Sequence, residues 1–444
     1  MGAFDLLTAK DSEDAQRRIA GALRVLGVQQ GDRIALSMTN SPAVINTALG
    51  ALRSGIFPVM LDPALTDAER EAILQDCTPS LVLTSRADAE SLAKGKPVDL
   101  APVPLARPIH YTSGTTGKRK GVFSGLLDED SARQLLGEET TQWGINSEDR
   151  HLVVSGLYHS APLRFAITTL MNGGDVVVMS RFEPSVFLQA MTHMQPTTMF
   201  CAPAHLQRMV DVIDTGVRMP SVVGIRLVAH AGAACPQPLK QRIHHLFEHD
   251  AVWEFYGATE GQVTALSPAD WLAAPGSVGR ARAGRSITLD DNGTIWTTVP
   301  DYARFSYWGD EAKTDAAWRG SAFTVGDIGR LDGEFLYLDG RRDDLIISGG
   351  VNVYPREVEL AFEHAPGVSD IAVFARPDER WGQRVCAAFV GTADTSSLQT
   401  WADAHLHPAR RPKEYHRVDS IPRSPTGKIR YRFLAQELGL EPPA

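Results

Sequence analysis

The chain has 444 residues, 43% of them hydrophobic and 22% charged, with a formal net charge of −9. That length exceeds one ordinary core and suits two or three domains of a globular protein, while the acidic balance argues against a nucleic-acid-binding surface over the whole molecule. No apolar run reaches transmembrane length and no charged-then-apolar leader opens the sequence, so the expected setting is the cytoplasm, with Cys77, Cys201, Cys235 and Cys386 as reduced, packing thiols.

In chain order, Ile19, Ala22, Leu23 and Leu26 fall on one helical face. "GDRIALSM" reads as a strand, and Ser41-Pro42 opens a helix as N-cap and first helical residue. "FPVML" is a strand again, "DAEREAILQD" a helix and "SLVLTS" a strand. The polar, Pro-rich segment Ala87–Pro108 reads as a connector. Beyond it, "DRHLVVSG", "GDVVVMS", "TTMFCAP" and "IRLVAHAG" are β-rich runs separated by helical patterns. Strands alternating with helices predict an α/β protein with mostly parallel sheets covered on both faces. Near residue 340 the style changes. "EFLYLDGRRDDLIISGG" reads as two short strands around a charged turn, followed by helix "PREVELAFEH", strands "DIAVFAR" and "RVCAAFVG", and helix "SLQTWADAHL". The expected organisation is a large N-terminal domain over residues 1–340, a charged hinge at 341–344, and a small α+β C-terminal domain over 345–444.

The stretch His110–Val122, "HYTSGTTGKRKGV", is rich in glycine, hydroxyls and cations. Glycines let backbone N–H groups turn toward a ligand, and hydroxyls and lysines add donors and charge, so the loop is a candidate phosphate cradle. It is not the common P-loop. Gly117-Lys118 is followed by Arg119, and Thr112 stands where the first glycine would be.

Further stretches line up behind this loop: "GLYHSAP", "HAGAACP", "EFYGATEG", "GSVGR", "VGDIGRLD", "GRRDDLIISGGVNVYPREVE" and "PRSPTGKIRYR". Together, in this order, they resemble the adenylate-forming family that contains acyl-CoA synthetases, non-ribosomal adenylation domains and beetle luciferases, over roughly residues 12 to 437. The resemblance implies an acyl-CoA synthetase-like fold with a mobile C-terminal domain. It also implies activation of a carboxylic acid by ATP and Mg²⁺ as acyl-AMP, with release of pyrophosphate. The physical problem is the approach of a carboxylate to a polyanion, which cations and directed dipoles relieve. By the resemblance, Thr112, Ser113, Gly114, Thr115, Thr116, Gly117 and Lys120 hold the β- and γ-phosphates, with Arg119 where the family usually has proline. Tyr256 stacks on adenine beside Gly257, Thr259 approaches the α-phosphate, and Glu260 holds the metal, since magnesium takes one or two carboxylates plus phosphate oxygens. Asp327 accepts from the ribose hydroxyls, Arg341 donates to the ribose, and Lys428 bridges the acid and the α-phosphate. The catalytic set is therefore Lys428, Glu260, Thr116 and His159.

Amino-acid-activating relatives carry an aspartate in the fourth motif, and "YHSAPLRFA" has no acid. The resemblance therefore favours a fatty or bulky alicyclic or aromatic acid in a mainly apolar pocket formed by His159, Gly232, Ala233 and Phe255. Arg164 reads as an ordinary helix-surface arginine, with contact to a second substrate carboxylate as the lesser alternative. "SGGVNVYP" matches the hairpin that lines the pantetheine tunnel after domain rotation about Asp343, with Gly349 and Gly350 permitting close approach. Coenzyme A is thus the expected acceptor, with a carrier-protein phosphopantetheine as the alternative and a catalytically poor acyl or nucleotide binder as a third reading. A homodimer is a candidate assembly. His245 and His249 sit at i, i+4, but without an HExxH signature they read as an exposed helix face. The basic run "ARRPKEYHR" reads as a solvated face, with Arg411 and Lys413 as lesser phosphate candidates.

Overall fold

Alternation of short apolar runs with amphipathic segments builds two six-stranded sheets with a layer of helices between them. The computed structural model describes residues 4–112, 119–248, 250–424 and 427–440, with the side chain of Asp343 also outside the description. One sheet runs in the order Ser306–Tyr307, Lys120–Phe123, Ile109–Thr112, Phe57–Met60, Arg33–Leu36, Leu81–Leu83. Its last four strands are parallel and the first two join as antiparallel edges. The other runs Phe4–Leu7, Asp175–Met179, Arg150–Val153, Thr198–Cys201, Leu227–His230, Val252–Glu254, and is parallel apart from its first strand.

The helix Pro42–Leu52 starts where Ser41-Pro42 predicts and is buried from Ala43 to Leu52. It shares one core with Ile34 and Val59 of the first sheet, Val153 and Val176 of the second, and Leu163 and Ala166 of the helix Ser160–Met171. A helix covered on every side has no solvated face, which explains its nearly continuous apolar sequence. Arg53 closes its end: Nε donates to the Ala101 carbonyl (2.7 Å), Nη1 donates to Gln16 (2.8 Å), and the guanidinium pairs with Glu13.

The sequence reading needs correction in three places. The connector after residue 86 contains a helix, Arg86–Leu92, capped by the Ser85 hydroxyl. The first helix runs Ala9–Val25 and buries Ile19 and Leu23, but Leu26 lies just past its end and is 57% exposed. Between the motif regions lies an antiparallel sheet, Ser286–Leu289, Ile295–Thr298, Ala322–Phe323, Trp318–Arg319, whose short strands carry no strong alternation.

The smaller C-terminal domain is built on the long pair Val368–Asp378 and Gly382–Gly391, flanked by the hairpin Ile346–Ser348/Val351–Val353 and by Glu414–Arg417. It touches the larger domain through Glu363, whose carboxylate accepts the backbone N–H of Gln237 (2.9 Å) at the start of the helix Gln237–Leu246. A carboxylate is favoured there by the unpaired N–H groups and dipole of the helix end.

Gly21 provides a test of this packing. It is buried inside the first helix, and a Cβ there would lie 1.9 Å from the Lys96 carbonyl oxygen. In an exposed helix interior, glycine to alanine stabilises by about 1 kcal/mol. Here Gly21→Ala is expected to destabilise by roughly 1–3 kcal/mol, the usual cost of overpacking, read as a lower midpoint in urea denaturation.

Candidate active site

The strand Val252–Glu254 ends in Phe255 and Tyr256, and the chain then folds back sharply. Gly257 bridges to Gln262, and a Cβ on it would lie 2.8 Å from the Gln262 backbone, so only glycine fits. Thr259 and Glu260 lie in the turn this creates. Glu260 is only 6% exposed, and its Oε1 accepts the Tyr307 hydroxyl proton (2.8 Å). Its backbone carbonyl accepts from Arg107 (3.1 Å), which also donates to the Arg304 carbonyl (3.1 Å). Burial pushes the Arg107 guanidinium down to about 10, with Arg164 adding repulsion.

Two further expected residues converge beside this turn. The Tyr256 hydroxyl donates to Asp327 Oδ2 (2.5 Å), and Arg341 Nε donates to Asp327 Oδ1 (2.8 Å). Asp327 and Arg341 are opposite one another at the end of the hairpin Asp327–Asp332/Phe335–Arg341, which accounts for their pairing. Asp327 is nearly buried while Arg341 remains half-exposed.

Lys428 reaches this group from the C-terminal domain. Its N–H donates to the Ser424 hydroxyl (3.1 Å), its carbonyl accepts the Ser424 N–H (2.9 Å), and Gly427 lies at φ +85° in the tight turn between them. A Cβ on Gly427 would stand 3.6 Å from Ala204 and 3.7 Å from Ala233, so the turn is seated on the larger domain. Burial lowers the ammonium's pKa and Arg341 lowers it further, against the pull of Asp327 and Glu260. His159, the N-cap residue of the helix Ser160–Met171, feels Lys428 as well: burial first, then Lys428 and His205, push its imidazole down to about 4. At neutral pH it is uncharged.

Lys120 forms an ion pair with Asp310 (3.3 Å), and Arg119 pairs with Glu69 (2.9 Å). Thr112 ends the strand that leads into the loop. Ser113, Gly114, Thr115, Thr116 and Gly117 lie outside the described residues, as does His249. His245 is exposed and its ring nitrogen bonds the Gln241 carbonyl (2.7 Å), in line with a helix surface. Arg411 is paired with Asp403 and Lys413 donates to the Pro408 carbonyl (2.9 Å), so both serve their own domain.

The acyl-pocket candidates divide. His159 and Ala233 border the Lys428 turn, and Gly232 (φ +95°) precedes Ala233 in the left-handed region. Phe255 is instead fixed in an aromatic cluster with Trp143, Phe165 and Phe200, at ring separations of 5.4 to 6.3 Å. Gly349 and Gly350 form the two-residue turn of their hairpin, at φ +59° and +80°, a geometry that glycine pairs favour. That hairpin packs on Trp381 and Gln383 of its own domain, leaving Ile347 and Val351 exposed.

Arg164 is not a surface arginine. It lies deep in the molecule, its Nε donates to Glu139 Oε2 (3.1 Å), and its guanidinium stands 5.8 Å from the Phe255 ring centroid. Glu139 also takes Arg282 Nη1 (2.9 Å), the Trp143 indole N–H (3.1 Å) and the Gln262 amide. Burial alone would raise this carboxyl, but Arg164 and Arg282, with those hydrogen bonds, hold it at about 2. Motif reading missed Tyr307, Arg107, Arg282 and Glu139; only Gln262, two residues past Glu260 in "TEGQ", lay next to a visible signal.

A family model described as AMP-binding enzyme matches residues 3–106 and 106–297, and one described as AMP-binding enzyme C-terminal domain matches 357–428. Among curated relatives, a feruloyl-CoA synthase of Amycolatopsis sp. is 30% identical, covering 93% of this chain and 90% of its own. A 2-succinylbenzoate–CoA ligase of Bacillus licheniformis is 28% identical, covering 93% and 91%. Among solved structures, the o-succinylbenzoate CoA synthetase of Bacillus subtilis with its acyl-adenylate intermediate superimposes with a TM-score of 0.83 at 25% identity, covering 95% and 92%. With ATP and magnesium ion the score is 0.82 at 25% identity, covering 96% and 94%. A double mutant of the same enzyme bound to the product analogue OSB-NCoA scores 0.68 at 26% identity, covering 96% and 92%.

Glu139 makes stability acid-sensitive in a defined window. Its carboxyl sits at about 2 in the fold against an ordinary 4.5, so its stabilisation is complete above pH 4.5 and is lost as pH falls toward 2. Glu139→Gln is expected to cost about 3–5 kcal/mol at pH 7, because two buried guanidiniums lose their carboxylate. In urea denaturation, the gap between wild type and variant should narrow between pH 5 and pH 3.

Proposed function

The chain belongs to the AMP-binding enzyme family, and on that premise we propose that it is an ATP-dependent acid–CoA ligase. It joins a carboxylic acid to AMP with release of pyrophosphate, then passes the acyl group to the thiol of coenzyme A. The observation that carries this reading is the convergence of Lys428, from one domain, on Asp327, Glu260 and His159 of the other and on Arg341 at the hinge. The CoA ligases among its relatives and the ATP-, magnesium- and adenylate-bound structures of similar fold support it.

In the first half-reaction a carboxylate oxygen attacks the α-phosphorus and the bond to pyrophosphate breaks. The negative charge gathered there needs fixed positive charge that is already in place. Lys428 suits this because its ammonium is a compact point charge on a flexible stem. Asp327 is held by Tyr256 and Arg341 with acceptor oxygens near the cleft, as a ribose would require. Lys120 follows directly on the proposed phosphate loop. Glu260 is a buried oxygen donor with one oxygen engaged by Tyr307, which suits a hard cation. When bound there, Mg²⁺ would neutralise phosphate charge. The neutral His159 borders the acid without adding charge.

The second half-reaction brings the thiol sulfur to the acyl carbon and releases AMP. The hairpin bearing Gly349 and Gly350 is proposed to line that approach after the domain 345–444 turns about the hinge 341–344. The lower TM-score to the product-analogue complex than to the adenylate complex of one enzyme supports an adenylating arrangement for this chain. The backbone of Arg342–Asp344 forms a short 3₁₀ turn, where a few residues can absorb the change.

Two variants separate the half-reactions. Lys428→Ala is expected to lower acid-dependent pyrophosphate release by about 10²–10³ while still converting a supplied acyl-adenylate to thioester. Asp343→Pro, with φ locked, should form adenylate and fail to transfer it. Loss of the same half-reaction by both variants overturns the rotating-domain account. A thioester formed with a carrier protein and not with CoA would move the acceptor to phosphopantetheine.

The metal assignment has its own check. Glu260→Gln is expected to raise the Mg²⁺ concentration needed for half-maximal pyrophosphate release about tenfold or more, the loss of one charged ligand, without lowering the melting temperature. An unchanged Mg²⁺ titration would remove Glu260 from the metal site.

A further inference from the structure

The helix Ser160–Met171 carries two polar residues of opposite character on its path away from the reaction centre. His159 caps it beside Lys428. Arg164 follows five residues later, about 7.5 Å further along the axis. Arg164 is largely desolvated by its surroundings, yet 23% of its side-chain surface remains accessible. Part of the side chain is therefore left uncovered by its protein neighbours.

The charges around it do not balance. Arg164 and Arg282 share the single carboxylate of Glu139. Arg285 is matched by Glu138, and Arg107 donates to two backbone carbonyls with the Glu260 carboxylate as its nearby counter-charge. The guanidinium of Arg164 also has donors to spare: Nη2 is buried without a hydrogen-bond partner among the described residues, and Nη1 makes only a 3.4 Å contact with Ser160. A guanidinium that shares its one carboxylate with a second arginine, in a poorly hydrated place, is under-compensated until a further anion arrives. Phe255 lies under the guanidinium and belongs to the aromatic cluster with Trp143, Phe165 and Phe200, so the unpaired donors sit beside apolar rings rather than other acceptors.

We propose that Arg164 is a specificity-determining residue, and that the acid this enzyme activates carries a second anionic group that Arg164 receives. This rests on the ligase reading above and narrows its substrate class. The first carboxylate reacts beside His159 and Lys428, and the second meets the surplus positive charge one and a half helical turns away. A guanidinium presents paired donors to a carboxylate, which gives direction as well as charge.

The test uses acid pairs that share a skeleton: hexanoate with adipate and with the monoamide of adipate, and benzoate with terephthalate. Acid-dependent pyrophosphate release is measured with ATP, Mg²⁺ and CoA. The wild-type protein is expected to favour the dicarboxylate of at least one skeleton by about 10²-fold in kcat/KM, the usual consequence of leaving one member of a buried charge pair unmatched. Arg164→Leu should collapse that ratio, and Arg164→Lys should keep part of it. A preference for the monocarboxylate in every skeleton overturns the proposal, as does an unchanged ratio in Arg164→Leu or a loss confined to KM for ATP. Should the leucine variant fail to fold, the wild-type ratios and the lysine variant still decide. Absence of pyrophosphate release with every acid is a different result, and it overturns the ligase reading itself.

Discussion

A single buried carboxylate organises the centre of the larger domain. Glu139 lies on the buried face of the helix Glu129–Trp143 and binds Arg164 on a second helix, Gln262 just past the Glu260 turn, and Arg282 on the segment beyond. Burying a carboxylate costs several kcal/mol, and replacing such networks with apolar groups is often neutral or stabilising. What the network supplies is position. The helix that begins at His159 and the turn that carries Glu260 are both referred to one anchor, so the two sides of the proposed site share one reference point.

Much of the site was legible because its chemistry needs particular residue types at fixed places along the chain. The turn Gly257–Gln262 demands glycine at a close approach, the hairpin Asp327–Arg341 pairs its first and last residues by register, and the Gly349–Gly350 turn needs positive φ twice. Such demands leave local signatures. Arg164 left none. Its neighbours on the helix are apolar, and a lone arginine there reads as a solvated one until Glu139, 25 residues away, is placed opposite it. Tyr307 and Arg107 are invisible for the same reason, since each meets Glu260 across a long stretch of sequence. The parallel strands were readable from their mostly apolar runs, whereas the two-residue strands around Ala322 and Trp318 are too short to show a period.

The two domains divide the electrostatic work. The larger holds its charges in pairs or networks before any substrate enters: Asp327 with Arg341, Lys120 with Asp310, Glu139 with two arginines. The smaller contributes Lys428 on a tight turn, whose charge is disfavoured by burial and by Arg341 and favoured by Asp327 and Glu260. Such a cation suits the proposed site, where anionic charge would develop during the reaction. Its position depends on how the Gly427 turn seats against Ala204 and Ala233, so the placement of this charge follows the geometry between the domains.

The carboxylate of Glu363 at the start of the helix Gln237–Leu246 bears on timing rather than on chemistry. It touches neither the Lys428 turn nor the Asp327 pair, yet it is a bond between the domains that the proposed rotation would break. A difference of 1.4 kcal/mol shifts an equilibrium tenfold, which is within reach of one charged hydrogen bond. On the proposed rotation, the dwell time of this arrangement would be set partly by a residue outside the proposed site. Selection acting at that position would tune turnover while leaving substrate preference untouched.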